Sequence, residues 1–286
     1  MHGAGWDRME IRQIRNATLV LSIGAHRLLV DPMLGAAGSM PGFRLFGSGE
    51  RRRNPLVELP RDTRAWLDDV TAALVTHEHP DHLDGAGRRF LAERKLPVWA
   101  SPVDVASLRT KGLDARALDG LGMDVEIVPA RHGRGLLGWM MGPVAGVYLA
   151  HEGEPSVLLT SDAVMSDGLL DAIARLRPDV IVAPAGSANM GVGGDILFSI
   201  DELVTLVRRA PGVVVLNHLE ALDHCPTTRE ALRARMQHEG LIEKVRIPDD
   251  GESIVLARRQ TPERPSVRRV SPVGGLQKWV AARISG

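Results

Sequence analysis

The amino-acid sequence predicts an α/β chain in which two sheets lie face to face between outer helices, and three observations predict it. Two antiparallel hairpins are signalled, one near the front and one near the middle. Around them, short apolar runs alternate with amphipathic segments of helical period. No fixed-period repeat appears, so the chain is not a solenoid or an array. Stacked sheets covered by helices accommodate both kinds of connection.

The runs ATLVLSIG and HRLLVDP flank a turn at Gly24-Ala25 and form the first hairpin, which Asp31-Pro32 closes. Residues 33–60 then lose periodicity. This Gly-, Pro- and Arg-rich connection is long for a compact chain and reads as a flap over a site. Next come helix TRAWLDDV, strand AALVTH, helix DHLDGAGRRFLAERK, strand PVWAS, helix VDVASLRTKG and strand MDVEIVPA. Strands GPVAGVYLAHEG and PSVLLTSD meet at the turn Glu152-Gly153-Glu154 as the second hairpin. Helix SDGLLDAIARL, buried strand DVIVAPA, the loop GSANMGVGGD and helix SIDELVTLVRRA follow, and strand GVVVLNH, helix TTREALRARMQHEG and strand ESIVLAR end the pattern. Residues 1–258 thus read as one domain. Residues 259–286 read as a basic, Pro-containing tether whose end docks through an amphipathic piece around Trp279 and Ile284.

Lys plus Arg equals Asp plus Glu at 35 each, so net charge gives no reason to expect nucleic acid or an anionic membrane as partner. Cys225 is the single cysteine, which excludes an intrachain disulfide and a Cys-based zinc cluster and fits a reducing compartment. The first fifteen residues carry charges throughout and lack a signal-peptide pattern, and no apolar run is long enough for a membrane span. The expectation is a cytoplasmic protein acting on a small molecule, with homo-oligomerisation left open.

The chemistry concentrates in ALVTHEHPDHLDG, residues 73–85. His77 and His79 are two apart at the end of a strand, so both side chains reach one face and one ion. Pro80 favours a turn into a helix, and Asp81 and His82 at its start point toward a second ion. The HExxH pattern of a zincin helix is absent. Neutral imidazoles and carboxylates suit zinc, and also manganese or iron. Further ligands belong at strand ends, and His132, Asp162 and His218 each directly follow an apolar run. His224 competes with His218 for the last position, and strand-end placement favours His218.

With HxHxDH, His132, Asp162 and His218 in this order, the chain resembles the metallo-beta-lactamase fold hydrolases over roughly residues 12–257. The VDP, NPL, HLDG and SD stretches are similar to the branch containing ascorbate-phosphate lactonase and N-acyl-phosphatidylethanolamine phospholipase D. The resemblance implies a four-layer αββα sandwich with two divalent ions at one edge. It implies that His77, His79 and His132 hold the first ion, that Asp81, His82 and His218 hold the second, and that Asp162 bridges them. The implied reaction is hydrolysis of a lactone or phosphoester, with a hydroxide between the ions as nucleophile and Asp81 shuttling a proton. A weakly catalytic regulatory member acting through a protein partner, and a mononuclear iron oxygenase on the same fold, are the alternatives.

Arg44, the run Arg51-Arg52-Arg53 and Arg134 would suit an anionic substrate, although charge runs are usually solvated surface. His224 and Asn189 are further candidate substrate contacts. Asp84 is assigned to capping the helix, Glu78 to facing away, His26 and His151 to hairpin turns, and Cys225 to a bystander role.

Overall fold

Alternation inside the strands sets the layers. The computed structural model describes residues 8–44, 50–191, 194–259 and 267–268. Its first sheet contains β1 (Arg8–Arg15), β2 (Thr18–Ile23), β3 (His26–Val30), β4 (Ala72–Val75), β5 (Pro97–Ala100), β6 (Asp114–Ala117) and β13 (Ser253–Ala257), in the order β13-β1-β2-β3-β4-β5-β6. The second contains β7 (Asp124–Arg131), β8 (Pro143–Ala150), β9 (Val157–Leu159), β10 (Val180–Pro184), β11 (Val213–Asn217) and β12 (Val245–Arg246), in the order β12-β11-β10-β9-β8-β7. Both expected hairpins form, β2–β3 and β8–β9, and both sheets mix antiparallel with parallel pairs.

In β10, Val180 and Val182 enter the cluster between the sheets, while Ile181 and Ala183 enter the cluster on the outer face. That outer cluster packs α5 (Asp167–Leu176), α6 (Ile200–Arg209) and α7 (Arg229–His238) against the second sheet, through residues such as Ile173, Leu206 and Leu232. On the other flank, α1 (Thr63–Trp66), α2 (Gly85–Glu93) and α3 (Val105–Thr110) cover the first sheet, with Leu91 and Leu108 packed against Val20, Ala73 and Val98. Period-two strands buried on both faces thus produce the αββα order.

Several elements differ from expectation. β1 was not read as a strand because its exposed positions are Arg and Glu. Met9 and Ile11 nonetheless fill the inter-sheet core, and the strand pairs with both β2 and β13. The helix expected from Asp81 begins only at Gly85. Residues 79–83 form a tight turn, with the His82 and Leu83 amides donating to His79 O at 2.9 Å each, so Asp81 and His82 precede the helix. Asp84 caps it, accepting from Gly87 N at 2.6 Å. The short α4 (Gly135–Met140), β6 and β12 were also missed.

The 33–60 segment is tied down at both ends within the described residues. Buried Arg15 donates to Met33 O, Gly35 O and Val57 O at 2.8–3.0 Å, and the Asp223 carboxylate accepts from Phe43 N and Asn54 Nδ2 at 2.9 and 3.0 Å. At the tail, Arg259 pairs with Asp179 at 3.1 Å and Arg268 N donates to Glu126 at 2.8 Å. The expected docking piece around Trp279 and Ile284 lies outside the described residues. No helix among the described residues is long and apolar enough to cross a membrane.

Candidate metal centre

The strand ends of both sheets deliver the proposed ligands to one edge. His77 follows β4 of the first sheet, whereas His132, Asp162 and His218 follow β7, β9 and β11 of the second. The local backbone is unusual there. Asn16, Asp31, Ser161 and His218 adopt left-handed conformations, with φ of 56°, 46°, 58° and 59°. Such backbone is unfavourable for a side-chain-bearing residue and persists where its surroundings fix it, most often at functional sites. Here Asn16 is held on both sides of the site, its O accepting from His218 N at 3.0 Å and its Nδ2 donating to Asp81 O at 3.2 Å.

Two groups result, His77–His79–His132 and Asp81–His82–Asp162–His218, each with one donor atom per residue within 4.8 Å of the others. In the first, His79 Nδ1 lies 3.1 Å from His77 Nε2 and 3.2 Å from His132 Nε2. In the second, His82 Nε2 lies 3.1 Å from Asp162 Oδ1, and His218 Nε2 lies 3.3 Å from Asp81 Oδ2. Asp162 Oδ2 joins the groups, standing 4.0 Å from His77, 3.5 Å from His132 and 3.8 Å from His218. All seven residues except the half-buried His79 are buried.

The donor set fits divalent ions on two counts. Ligand atoms around a tetrahedral ion with bonds of about 2.1 Å stand roughly 3.4 Å apart, close to the spacings above. Moreover, His82 Nε2, His218 Nε2 and Asp162 Oδ1 are buried and, despite neighbours at 3.1–3.3 Å, none makes a hydrogen bond of good geometry. An orphaned buried polar atom is costly, and three aimed at one small volume call for a shared cation.

The remaining ring nitrogens of His77, His82, His132 and His218 are occupied. His82 Nδ1 lies 2.9 Å from Asp31 Oδ2, His132 Nδ1 donates to Ile196 O at 2.9 Å, His77 Nδ1 meets Thr76 Oγ1 at 3.1 Å, and His218 Nδ1 meets Cys225 Sγ at 3.6 Å. Asp31 also accepts from Thr76 N and Thr76 Oγ1, both at 2.8 Å, so one carboxylate orients the β4 end and a ligand imidazole together. Such outer partners fix tautomer and orientation.

Charges follow the same geometry. Burial alone would depress His82, but Asp162 and Asp31 more than offset it and push the imidazole up to about 10. Burial likewise opposes protonation of His218, yet Asp162 and its other neighbours raise it well above the usual histidine range. Burial, with His82 alongside, holds His77 well below that range, and burial also lowers His132. Burial would raise Asp162, but His82 and His218 hold it well below the usual carboxylate range.

His224 stands outside both groups. It is buried, its Nδ1 has no hydrogen-bond partner, and its ring meets Phe43 edge-on at 5.3 Å. Burial lowers it to about 4. Arg51 Nε donates to Gly42 O at 2.9 Å and Arg53 Nε to Gly38 O at 2.6 Å, bracing their own loop, while Arg44 Nε donates to Asp223 O at 2.6 Å and ties that loop to the one after β11. Asn189 Oδ1 likewise accepts from Gly191 N within the Gly-rich loop. Arg134 bonds Glu202 Oε1 at 2.5 Å and Met165 O at 3.1 Å. Glu78 turns outward to Lys111. Sequence reasoning missed Asp31, Thr76 and Asn16 as supports and took Cys225 for a bystander, although it touches His218. The left-handed backbone at Asp31 carries no signal beyond its Asp-Pro pair.

The fold has counterparts among known proteins. The family model described as Beta-lactamase superfamily domain matches residues 26–219. UPF0173 protein YddR of Bacillus subtilis (strain 168) is 30% identical over 255 residues, covering 86% of this chain and 99% of its own. The crystal structure of isothiocyanate hydrolase from Delia radicum gut bacteria superposes with a TM-score of 0.79 at 28% identity, covering 87% of this chain and 99% of that one. A possible metal-dependent hydrolase from Veillonella parvula DSM 2008 gives 0.78 at 28% identity, covering 86% and 98%.

Proposed function

Since the chain belongs to the Beta-lactamase superfamily domain family and has the metallo-beta-lactamase fold, we propose that it is a metal-dependent hydrolase with a dinuclear centre. The observation that carries this reading is the position of Asp162 Oδ2 within 4.0 Å of histidines from both ligand groups. His77, His79 and His132 would hold one ion, Asp81, His82 and His218 the other, and Asp162 both. Two divalent ions held there, zinc before manganese or iron, would supply a water acidified toward neutrality and a Lewis acid for the electrophile.

The chain's own residues do the rest. Burial of six of the seven ligands keeps bulk water from screening the centre. Asp81, with Oδ2 on the His218 side, combines ligation with carrying the proton that hydrolysis releases. His224, neutral at working pH because burial holds it near 4, offers to the substrate beside this centre an Nδ1 that makes no hydrogen bond and lies 3.9 Å from Asp223. Of the arginines, Arg134 is the candidate contact for an anionic group, since it pairs with Glu202 but lines a cavity together with His132, whereas Arg44 braces the 33–60 segment, which we read as the flap over the site.

Substrate candidates are lactones and phosphoesters of small anionic molecules, joined by isothiocyanates through the 28% identical relative that hydrolyses them. Metal-loaded protein, metal-stripped protein and Asp81→Ala should be screened together against lactones, phosphodiesters, thioesters and isothiocyanates. Turnover confined to the loaded wild type is expected, with a loss of at least about a hundredfold in Asp81→Ala. Full activity in metal-stripped protein, verified by elemental analysis, would overturn the reading.

A further inference from the structure

A cavity of about 940 Å³ lies on the α5 flank of the centre, within the range of small-molecule sites. His132 belongs to both places. Its Nε2 stands 3.5 Å from Asp162 Oδ2, and the residue also lines the cavity together with Arg131, Leu136, Trp139, Val164 and Met165. Arg134, Ser166 and Asp167 line it too, so the lining is mixed, with its apolar part made by Leu136, Trp139, Val164 and Met165, and it includes a proposed ligand.

The α4 helix explains why large apolar side chains face this space. Leu137 and Met141, four residues apart on one face, pack against the cluster of Met33, Ala188, Ile196 and Leu197, which anchors the helix. That anchoring turns the neighbouring positions outward, leaving Leu136 74% and Trp139 64% exposed. Large hydrophobic side chains gathered at such exposure mark a ligand-binding or interaction surface. Covering them removes apolar area from water, a gain available to any ligand that reaches from His132 along the helix.

We infer that this cavity receives an apolar arm, alkyl or aryl, carried by the substrate of the metal centre. The substrate is then amphipathic, with its scissile group at the ions and its arm along α4 against Leu136, Trp139 and Met165. The inference rests on the hydrolase reading above. It assigns α4 a role in specificity, through contact with a part of the substrate that does not react.

The test uses the metal-loaded full chain with two homologous series, γ-lactones and alkyl isothiocyanates, whose arms lengthen from methyl to octyl. In wild type, kcat/KM should rise about tenfold or more along the hydrolysed series. Leu136→Ser and Trp139→Ser should bring the octyl-to-methyl ratio toward one, whereas Met140→Ser, on the same helix but outside the cavity lining, should retain it. A flat wild-type series, or variants that keep the wild-type ratio, would overturn the subsite. So would variants that change the oligomeric state by light scattering with the arm preference intact, because α4 would then be an interface between copies. If no member is hydrolysed, the hydrolase reading fails for these substrates and binding alone decides the subsite. Saturable binding of octanoate by titration calorimetry, lost in Leu136→Ser, would uphold it, and no saturable binding would refute it.

Discussion

Asp31 shows how much of the site lies outside the ligand set. Its carboxylate holds Thr76 twice and His82 once, so it sets both the end of β4 and the direction of the His82 imidazole. Asp31→Ala should weaken metal affinity by about 10- to 100-fold, measured by competition with a chromophoric chelator. Unchanged affinity would show that His82 is oriented without it. A second residue-scale prediction concerns Asp104. Burial, reinforced by Glu78 and opposed by Lys111, raises its pKa to about 7 from an ordinary 3.8. Between those values the folded state keeps a proton that the unfolded state has lost, so stability falls as pH rises through the window. Asp104→Asn removes this loss. Its denaturation midpoint should match wild type near pH 4 and exceed it at pH 8, and an equal difference at both would contradict the shift. The proposed ligands were legible as candidates because their types are rare and because the HxHxDH stretch, His132, Asp162 and His218 each follow an apolar run. Asp31 and Asn16 were not, since ordinary turn residues occupy both positions and their partners lie far along the chain.

At the scale of elements, α2 is fixed by contact at its first turn. A Cβ on Gly87 would stand 1.9 Å from Pro32 O, in the loop that follows Asp31. Gly87→Ala should therefore cost about 1–3 kcal/mol by overpacking. Gly168, in the first turn of α5, has nothing within 4 Å of such a Cβ, and Gly168→Ala should gain roughly 0.5 kcal/mol. Urea denaturation of the pair measures both, and the same sign for both would contradict the packing around α2. Strands with continuous apolar runs, such as β10 and β11, and helices with strong caps, such as α6 with its Ser199–Glu202 capping box, were readable from sequence. β1 hid behind its charged exposed positions. α4 was missed because six residues are too few to show a period.

For the whole molecule, the two sheets meet at the edge proposed to bind metal as well as through the inter-sheet core, with His77 from one and His132, Asp162 and His218 from the other. Ion binding should thus stabilise the sandwich as a unit. Metal at about a thousandfold excess over its dissociation constant adds about 4 kcal/mol, so chelation should lower the thermal midpoint by about 10 °C in calorimetry. No shift on verified removal of the metal would mean that the edge holds together without it. Layer order was legible because hairpins and crossovers both appear in the sequence, whereas the pairing of β13 with β1 closes the first sheet from opposite ends of the domain and left no local trace. The central claim is a two-ion centre joined by Asp162, and metal content per chain tests it most directly. Elemental analysis of dialysed protein should give about two ions in wild type, about one in His79→Ala and in His218→Ala, and fewer than one in Asp162→Ala. A content of one or none in wild type after metal loading, or two retained in Asp162→Ala, would contradict it.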